Sequence, residues 1–308
     1  MSDAYAAAGV DTSQADCGVD ALVGVLRRIE LDRPSASVLG SGHYASVLRV
    51  ADNLGIALST DGVGSKIVVA EQADPDALAR IAVGLKVGAQ TAGIEIPGGE
   101  LAVLPELIRG HPSPHGFDLC GTAIGTVALD AIVTGADARP GDALIGLPSS
   151  GLHSNGYTLA RRALLDEGGL ALDDRPPALE GRTVADALLE PTVIYVRAVL
   201  DLLRSDVPVH GLAHITGGGL RNLLRLGGER LGFAIESPLP VPPICSLVAE
   251  LGDVAPAEMW DVFNMGCGFV ALVPDGRADD AVALLGAHHP GTARIGTVTG
   301  DGGRIATP

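Results

Sequence analysis

Lysine is nearly absent from this 308-residue chain: only Lys66 and Lys86 occur, and arginine carries the rest of the positive charge. The formal net charge is −16. No basic footprint exists for nucleic acid, so that partner class is excluded. An anionic ligand would have to be held by local backbone N–H groups and a cation rather than by a general positive field. Long apolar runs are lacking too. The longest, Thr122 to Val133, is broken by Asp130 and is too short to span a bilayer. The segment Met1-Ser2-Asp3-Ala4-Tyr5 shows no basic region followed by an apolar one, so no signal peptide is visible. Cysteine is sparse: Cys17, Cys120, Cys245 and Cys267 are widely spaced with no Cys-x-x-Cys pair. That excludes a disulfide framework or a zinc site and predicts buried thiols in a reducing, cytoplasmic setting. The two common nucleotide fingerprints, Gly-x-Gly-x-x-Gly after a strand and Gly-x-x-x-x-Gly-Lys-Ser/Thr, are both missing.

What is present is nearly half apolar and rich in glycine, enough for two domains with separate cores. Gly55 to Thr60 reads as a strand, Ala77 to Ala92 as a helix ending at Gly93, and Phe117 to Val133 as one or two strands. Arg139-Pro140-Gly141-Asp142 is a turn and the expected domain boundary, dividing the chain into 1–138 and 139–308. Beyond it the pattern predicts a strand at 143–147, a helix from Ser154 to about Glu167, one long helix over 184–204 and a short strand at 209–214. A helix opening at Gly217-Gly218-Gly219 follows, and then strands and helices alternate to residue 298. The irregular returns point to α+β rather than a doubly wound parallel sheet.

Five stretches carry chemistry. The longest is Pro148-Ser149-Ser150-Gly151-Leu152-His153-Ser154-Asn155-Gly156-Tyr157, placed between a strand and a helix. Such a loop offers free N–H groups and hydroxyls to a phosphate, with Ser154 or Asn155 as a cap and His153 titrating near neutral pH; an ordinary helix cap is the plain alternative. Ser59-Thr60-Asp61-Gly62-Val63-Gly64-Ser65-Lys66 follows a strand. Its glycines permit close backbone approach, Asp61 suits Mg²⁺ and Lys66 suits a phosphate, against a simple Asp-Gly turn. Pro97-Gly98-Gly99-Glu100 sets a carboxylate beside two glycines, or is a tight turn. Gly217-Gly218-Gly219 after Ala213-His214-Ile215-Thr216 is costly in backbone entropy unless something comes close, which fits an anion nest. Phe263-Asn264-Met265-Gly266-Cys267-Gly268 enters a strand and reads equally as a glycine bulge.

With Tyr5, Ala8-Gly9-Val10-Asp11 and Gly116-Phe117-Asp118 added, these motifs occur in the order seen in the phosphoribosylformylglycinamidine cyclo-ligases, or AIR synthetases, and the chain resembles that family over nearly its whole length. The resemblance implies a two-domain α+β enzyme whose N-terminal sheet forms a dimer barrel and whose C-terminal domain is α/β sandwich-like. It implies an ATP-dependent, Mg²⁺-requiring ring closure of formylglycinamidine ribonucleotide to aminoimidazole ribonucleotide in de novo purine (IMP) biosynthesis. By carry-over, Lys66, Glu100 and His153 are the catalytic candidates. Gly42, His43, Asp61, Gly62, Gly64, Ser65 and Lys66 would bind ATP, and Asp61 and Glu100 the metal. Ser150, Gly151, His153, Ser154, Asn155, Gly156, Gly217, Gly218, Gly219 and Asn264 would bind the substrate.

The chain departs from the family in two places. Leu39-Gly40-Ser41-Gly42-His43-Tyr44 stands where a Gly-Gly-Phe-Gly-like loop is usual. A segment carrying an Asn-Asp metal-ligand pair and a barrel strand is missing between Lys66 and Asp76; no Asn-Asp pair occurs in the 308 residues. Two other readings therefore stand beside the cyclo-ligase: a small-molecule kinase of the same superfamily and a non-catalytic nucleotide-binding remnant.

Overall fold

A computed structural model describes residues 35–39, 43–62, 66–68, 77–98, 118–227 and 230–308. The chain divides into two compact units, Met1–Val63 with Leu119–Val133, and Gly64–Asp118 with Thr134–Pro308.

The first unit holds an antiparallel four-stranded sheet in the order β1 (Ser37–Leu39), β2 (Ser46–Ala51), β3 (Leu54–Gly62) and β4 (Cys120–Ala128). β3 and β4 pair along their whole length, Leu54 opposite Ala128 and Gly62 opposite Cys120. Leu48, Ile56 and Thr126 share one face with Leu58 and Ile124, since each set sits in register across neighbouring strands. Leu48 and Ile124 are exposed, Ile124 by 71%.

The second unit is built on a six-stranded sheet, with helices on both faces. Its strands are β5 (Ala143–Pro148), β6 (Gly211–His214), β7 (Gly232–Ile235), β8 (Cys267–Val273), β9 (Ala293–Thr299) and β10 (Ile305–Ala306). They lie in the order β10-β7-β9-β5-β8-β6, and only the β10–β7 pair is parallel. This mixed sheet with its helices is the α+β organisation that the sequence implies. Strand pleating sends alternate residues of β5 to opposite layers. Leu144 joins Leu220, Leu223, Phe233, Val270 and Leu272 on one side. Ala143, Ile145 and Leu147 join Ala198, Leu202, Ala281 and Leu285 on the other.

The helices of this unit are α1 (Ala77–Ala92), α2 (Tyr157–Arg161), α3 (Val184–Leu188), α4 (Val196–Arg204), α5 (Pro243–Leu251), α6 (Pro256–Val262) and α7 (Ala278–His288). The single helix expected over 184–204 is two helices. Thr183 and Asp186 cap α3 reciprocally, and Pro191 then stops it, because proline disfavours helical geometry in the residue before it. The stretch opened by the three glycines is a 3₁₀ helix, Gly219–Leu226. The short helix α6 was not expected from the sequence. Cys245 and Cys267 are buried, whereas Cys120 on β4 is exposed, against the expectation of buried thiols. No helix among the described residues is long and apolar enough to cross a membrane.

Leu144 is fully buried in the central strand. Leu144→Ala is expected to lower the unfolding free energy by about 2–5 kcal/mol, read by urea denaturation; a loss below about 1 kcal/mol would contradict a close-packed layer there.

Candidate functional site

The site starts from the pairing of β5 with β8. Leu147 faces Phe269 and Pro148 faces Cys267, which leaves Gly268 as an extra residue, a bulge. A side chain at Gly268 would lie 2.1 Å from the Tyr195 hydroxyl and 2.6 Å from His153 Cε1, so only glycine lets these two rings approach the strand. The bulge sets the exit of β5 and brings the 149–156 loop beside the 263–268 loop. Ser149 N–H donates to the Gly266 carbonyl at 2.9 Å. Asn264, 3% exposed, joins the two loops through its amide. Its Oδ1 accepts from Ser149 Oγ (2.8 Å) and Gly266 N (3.0 Å), and its Nδ2 donates to the Gly151 carbonyl (2.7 Å). The side chain expected to touch substrate is thus spent on holding the loop.

Neither Ser154 nor Asn155 caps α2. The cap position is Gly156, in the left-handed region at φ +77°, with no side-chain cap. A Cβ there would lie 2.2 Å from the Phe263 ring, so the turn must be glycine. Ser154 Oγ instead shares a hydrogen bond with Thr192 Oγ1 (3.1 Å), and Ser150 Oγ donates to the Pro191 carbonyl (2.6 Å). The segment between α3 and α4 therefore straps the loop from one side.

His153 is the loop's strained residue, with φ +61° and 3% exposure. Its Nε2 accepts from Ser150 N–H (3.2 Å), while Nδ1 is buried with no hydrogen-bond partner. Burial first, then the charges of His214 and Lys66, push its pKa down to about 4. The imidazole is therefore neutral at pH 7 and sealed from solvent. This corrects the expectation of a group titrating near neutral pH, and the reason is desolvation. Beside it stands Tyr195, whose ring centroid lies 6.3, 6.4, 5.4 and 5.1 Å from those of His153, His214, Phe269 and His289. Tyr195 donates to the Pro148 carbonyl at 2.7 Å.

Lys66 reaches this loop. Its Nζ donates to the carbonyls of His153 and Glu190, each at 2.8 Å, and lies 5.5 Å from the centroid of the Tyr157 ring. Burial brings its pKa down to about 8, partly offset by Glu190. The tri-glycine stretch is the loop's neighbour on the other side: a Cβ at Gly217 would meet Asn155 Nδ2 at 3.2 Å. Asn222 pins this stretch, its Oδ1 accepting from Thr216 N (2.7 Å) and Thr216 Oγ1 (2.9 Å) and its Nδ2 donating to the Gly217 carbonyl (3.1 Å). Gly219 is buried against the Trp260 carbonyl, where a Cβ would come to 2.1 Å.

The structure thus brings together Lys66, Ser150, Gly151, His153, Ser154, Asn155, Gly156, Gly217, Gly218, Gly219 and Asn264 within the second unit. Ser154 and Gly217 are exposed, and Ser150, Asn155 and Gly218 are half-buried; Gly151, Gly156, Gly219 and Asn264 form the frame beneath. Asp61 and Gly62 end β3 in the first unit, where Asp61 Oδ1 accepts from Gly62 N–H at 2.9 Å. His43, also in that unit, is exposed. Gly42, Gly64, Ser65 and Glu100 lie outside the described residues. Among the described residues no group of three or more His, Cys, Asp or Glu could hold a metal ion. Sequence reasoning missed Tyr195 and Asn222, which bond mainly to backbone groups, Thr192, which meets the Ser154 hydroxyl, and Glu190, which acts through its own carbonyl.

The model of the AIR synthase related protein C-terminal domain matches residues 139–307, and that of the N-terminal domain matches residues 42–87. A phosphoribosylformylglycinamidine cyclo-ligase of Thermococcus gammatolerans is 42% identical over 97% of this chain and 96% of its own length. The chain belongs to the phosphoribosylformylglycinamidine cyclo-ligase family. The cyclo-ligase of Methanothermobacter thermautotrophicus is similar at 40% identity over 98% and 96% of the two chains. The alignment to the Thermococcus cyclo-ligase runs over 339 residues, more than the 308 present here, so it includes positions that this chain lacks. In fold, the chain is similar to thiamine monophosphate kinase from Aquifex aeolicus (TM-score 0.54, 15% identity, 94% and 95% covered). It is also similar to the hydrogenase maturation protein HypE in complex with ATP (TM-score 0.53, 20% identity, 87% and 82% covered).

A neutral His153 has a consequence for stability. Between pH 6.5 and about 4 the unfolded chain binds a proton that the folded site refuses, so stability falls as pH drops through that window and is fully present above 6.5. Chemical denaturation at pH 4.5 and 7.5 is expected to show a shallower pH slope for His153→Gln than for the parent. Equal slopes would contradict the buried neutral imidazole.

Proposed function

We propose that this chain is an ATP-dependent cyclo-ligase that closes formylglycinamidine ribonucleotide to 5-aminoimidazole ribonucleotide, releasing ADP and phosphate in cytoplasmic purine biosynthesis. The observation that carries the reading is the loop of residues 149–156, joined to the tri-glycine stretch, in a chain 42% identical to a cyclo-ligase over nearly its full length. Ring closure needs the formyl oxygen to leave. Transfer of the ATP γ-phosphoryl group to that oxygen makes phosphate the leaving group, and a nitrogen of the same molecule then forms the new C–N bond. Because both partners lie in one bound molecule, positioning supplies much of the rate.

The accessible rim formed by Ser150, Ser154, Asn155, Gly217 and Gly218 is the place for the phosphoribosyl end. Its hydroxyls and glycine backbone give donors without a general positive field. Asp61, whose second carboxylate oxygen has no partner among the described residues, suits Mg²⁺, which usually takes one or two protein carboxylates together with substrate phosphates. Glu100 would be the second carboxylate, and Gly42, His43, Gly62, Gly64 and Ser65 the surrounding nucleotide contacts. The metal would supply charge neutralisation at the phosphates. His153 braces the loop from within rather than exchanging protons with solvent.

The domain division proposed is 1–138 for the nucleotide-binding and dimerisation part and 139–308 for the C-terminal part, supported by the family match that begins at 139. Homodimerisation through the first unit's sheet is supported by its exposed apolar face, Leu48, Leu54 and Ile124. The absence of an Asn-Asp pair from the sequence motivates one further reading, a nucleotide-binding remnant.

The deciding experiment is formation of aminoimidazole ribonucleotide by the purified chain with ATP and Mg²⁺. Activity well above background, falling about 10²-fold or more in Asp61→Asn, is expected. No product from folded protein would overturn the cyclo-ligase reading in favour of the remnant.

A further inference from the structure

Lys66 is half-buried, and its ammonium meets protein groups on more than one side. A lysine offers three N–H donors. Two are taken by the His153 and Glu190 carbonyls at 2.8 Å, and the ammonium lies against the face of the Tyr157 ring. In this arrangement the group that sequence reasoning gives to an ATP phosphate is committed within the protein.

The two carbonyls it grips belong to different segments. One belongs to His153, which sits at φ +61°, a conformation costing a non-glycine residue of order 1 kcal/mol or more unless its surroundings enforce it. The other belongs to the strap that follows α3. The Tyr157 hydroxyl makes a parallel bridge, donating within reach of both the His153 carbonyl (3.1 Å) and the Leu188 carbonyl, which lies closer still. Lys66 and Tyr157 therefore clamp one strained peptide to one strap, from two directions. The same strap also receives Ser150 Oγ and Ser154 Oγ from the loop's rim. Losing one clamp would free the His153 peptide to turn, and Ser150 N–H, which donates to His153 Nε2, would lose its partner.

We propose that Lys66 is a positioning residue: it clamps the His153 carbonyl to the 188–192 strap and so sets the shape of the 149–156 loop, instead of contacting an ATP phosphate. A cation rather than a neutral donor suits the task, because two carbonyl oxygens drawn together repel each other and a positive charge between them offsets that repulsion. The inference rests on the cyclo-ligase reading for its kinetics but not for its structural readout.

Lys66→Met keeps the length of the chain and removes the donors; Tyr157→Phe removes only the second bridge. In steady-state kinetics the expected result for Lys66→Met is a loss of about 10²-fold in kcat/KM for formylglycinamidine ribonucleotide, with KM for ATP changed less than threefold. Loss in the double variant Lys66→Met/Tyr157→Phe should be far from the product of the two single losses, since both act on one peptide. A rise of tenfold or more in KM for ATP, with multiplicative losses, would overturn the proposal and return Lys66 to the nucleotide. Amide hydrogen exchange by NMR reads the same question without turnover. Ser150 N–H is expected to exchange at least tenfold faster in Lys66→Met, while the core amides of β5 and β8 keep their protection. Unchanged exchange at Ser150 would equally overturn it. A parent chain with no activity but with this exchange response would refute the cyclo-ligase reading and leave the clamp standing.

Discussion

The candidate site depends on one constraint, the glycine bulge where β5 and β8 part company. A regular ladder would carry the 149–156 loop straight off the end of the sheet. With Gly268 skipped in the pairing with β5, Tyr195 and His153 fit against the strand where any side chain would exclude them. The Asn264 amide then ties the two loops that leave the bulge, and the segment containing Pro191 and Thr192 closes over the loop from the side. Breaking the bulge would disturb the loop even though none of its own residues had changed.

Buried polar groups in the second unit follow a consistent logic. Asn222 and Asn264 each satisfy several backbone groups, which makes them stiff connectors with little capacity left for a ligand. His153 departs from this pattern, with one nitrogen used and the other buried unpaired, in a left-handed backbone. An unsatisfied buried N–H costs roughly 1–3 kcal/mol. That cost, added to backbone strain, is tolerated only because the clamp and the packing over-determine the residue. Strain of this kind collects at working sites, and it lies here at the centre of the loop assigned to substrate.

How much of this was legible in the sequence varies by the kind of signal. The chemistry-bearing loops were legible because Gly217 to Gly219, Gly266 and the Ser-Asn-Gly run are residues that regular structure avoids. The strands β5 and β8 were legible because both faces of a central strand are buried, giving a nearly unbroken apolar run. Pro191 was in plain view, yet the helical spacing of apolar residues on either side masked the break it makes. The capping role given to Ser154 or Asn155 failed because Phe263, more than one hundred residues away, fills the space and leaves the turn to Gly156. The partners of Lys66, Tyr195 and Ser150 were illegible in principle. They are carbonyl oxygens, which every residue carries, so the sequence holds no mark of which one is used.

On the proposed reading, a loop pre-shaped by this bulge and clamp receives the phosphoribosyl end of the substrate. The most direct measurement is a crystal structure of the chain with formylglycinamidine ribonucleotide. The ribose phosphate is expected within about 3.2 Å of donors from Ser154, Asn155, Gly217 or Gly218, with the His153 peptide still left-handed and gripped by Lys66. A phosphate bound elsewhere, with this rim untouched, would contradict it.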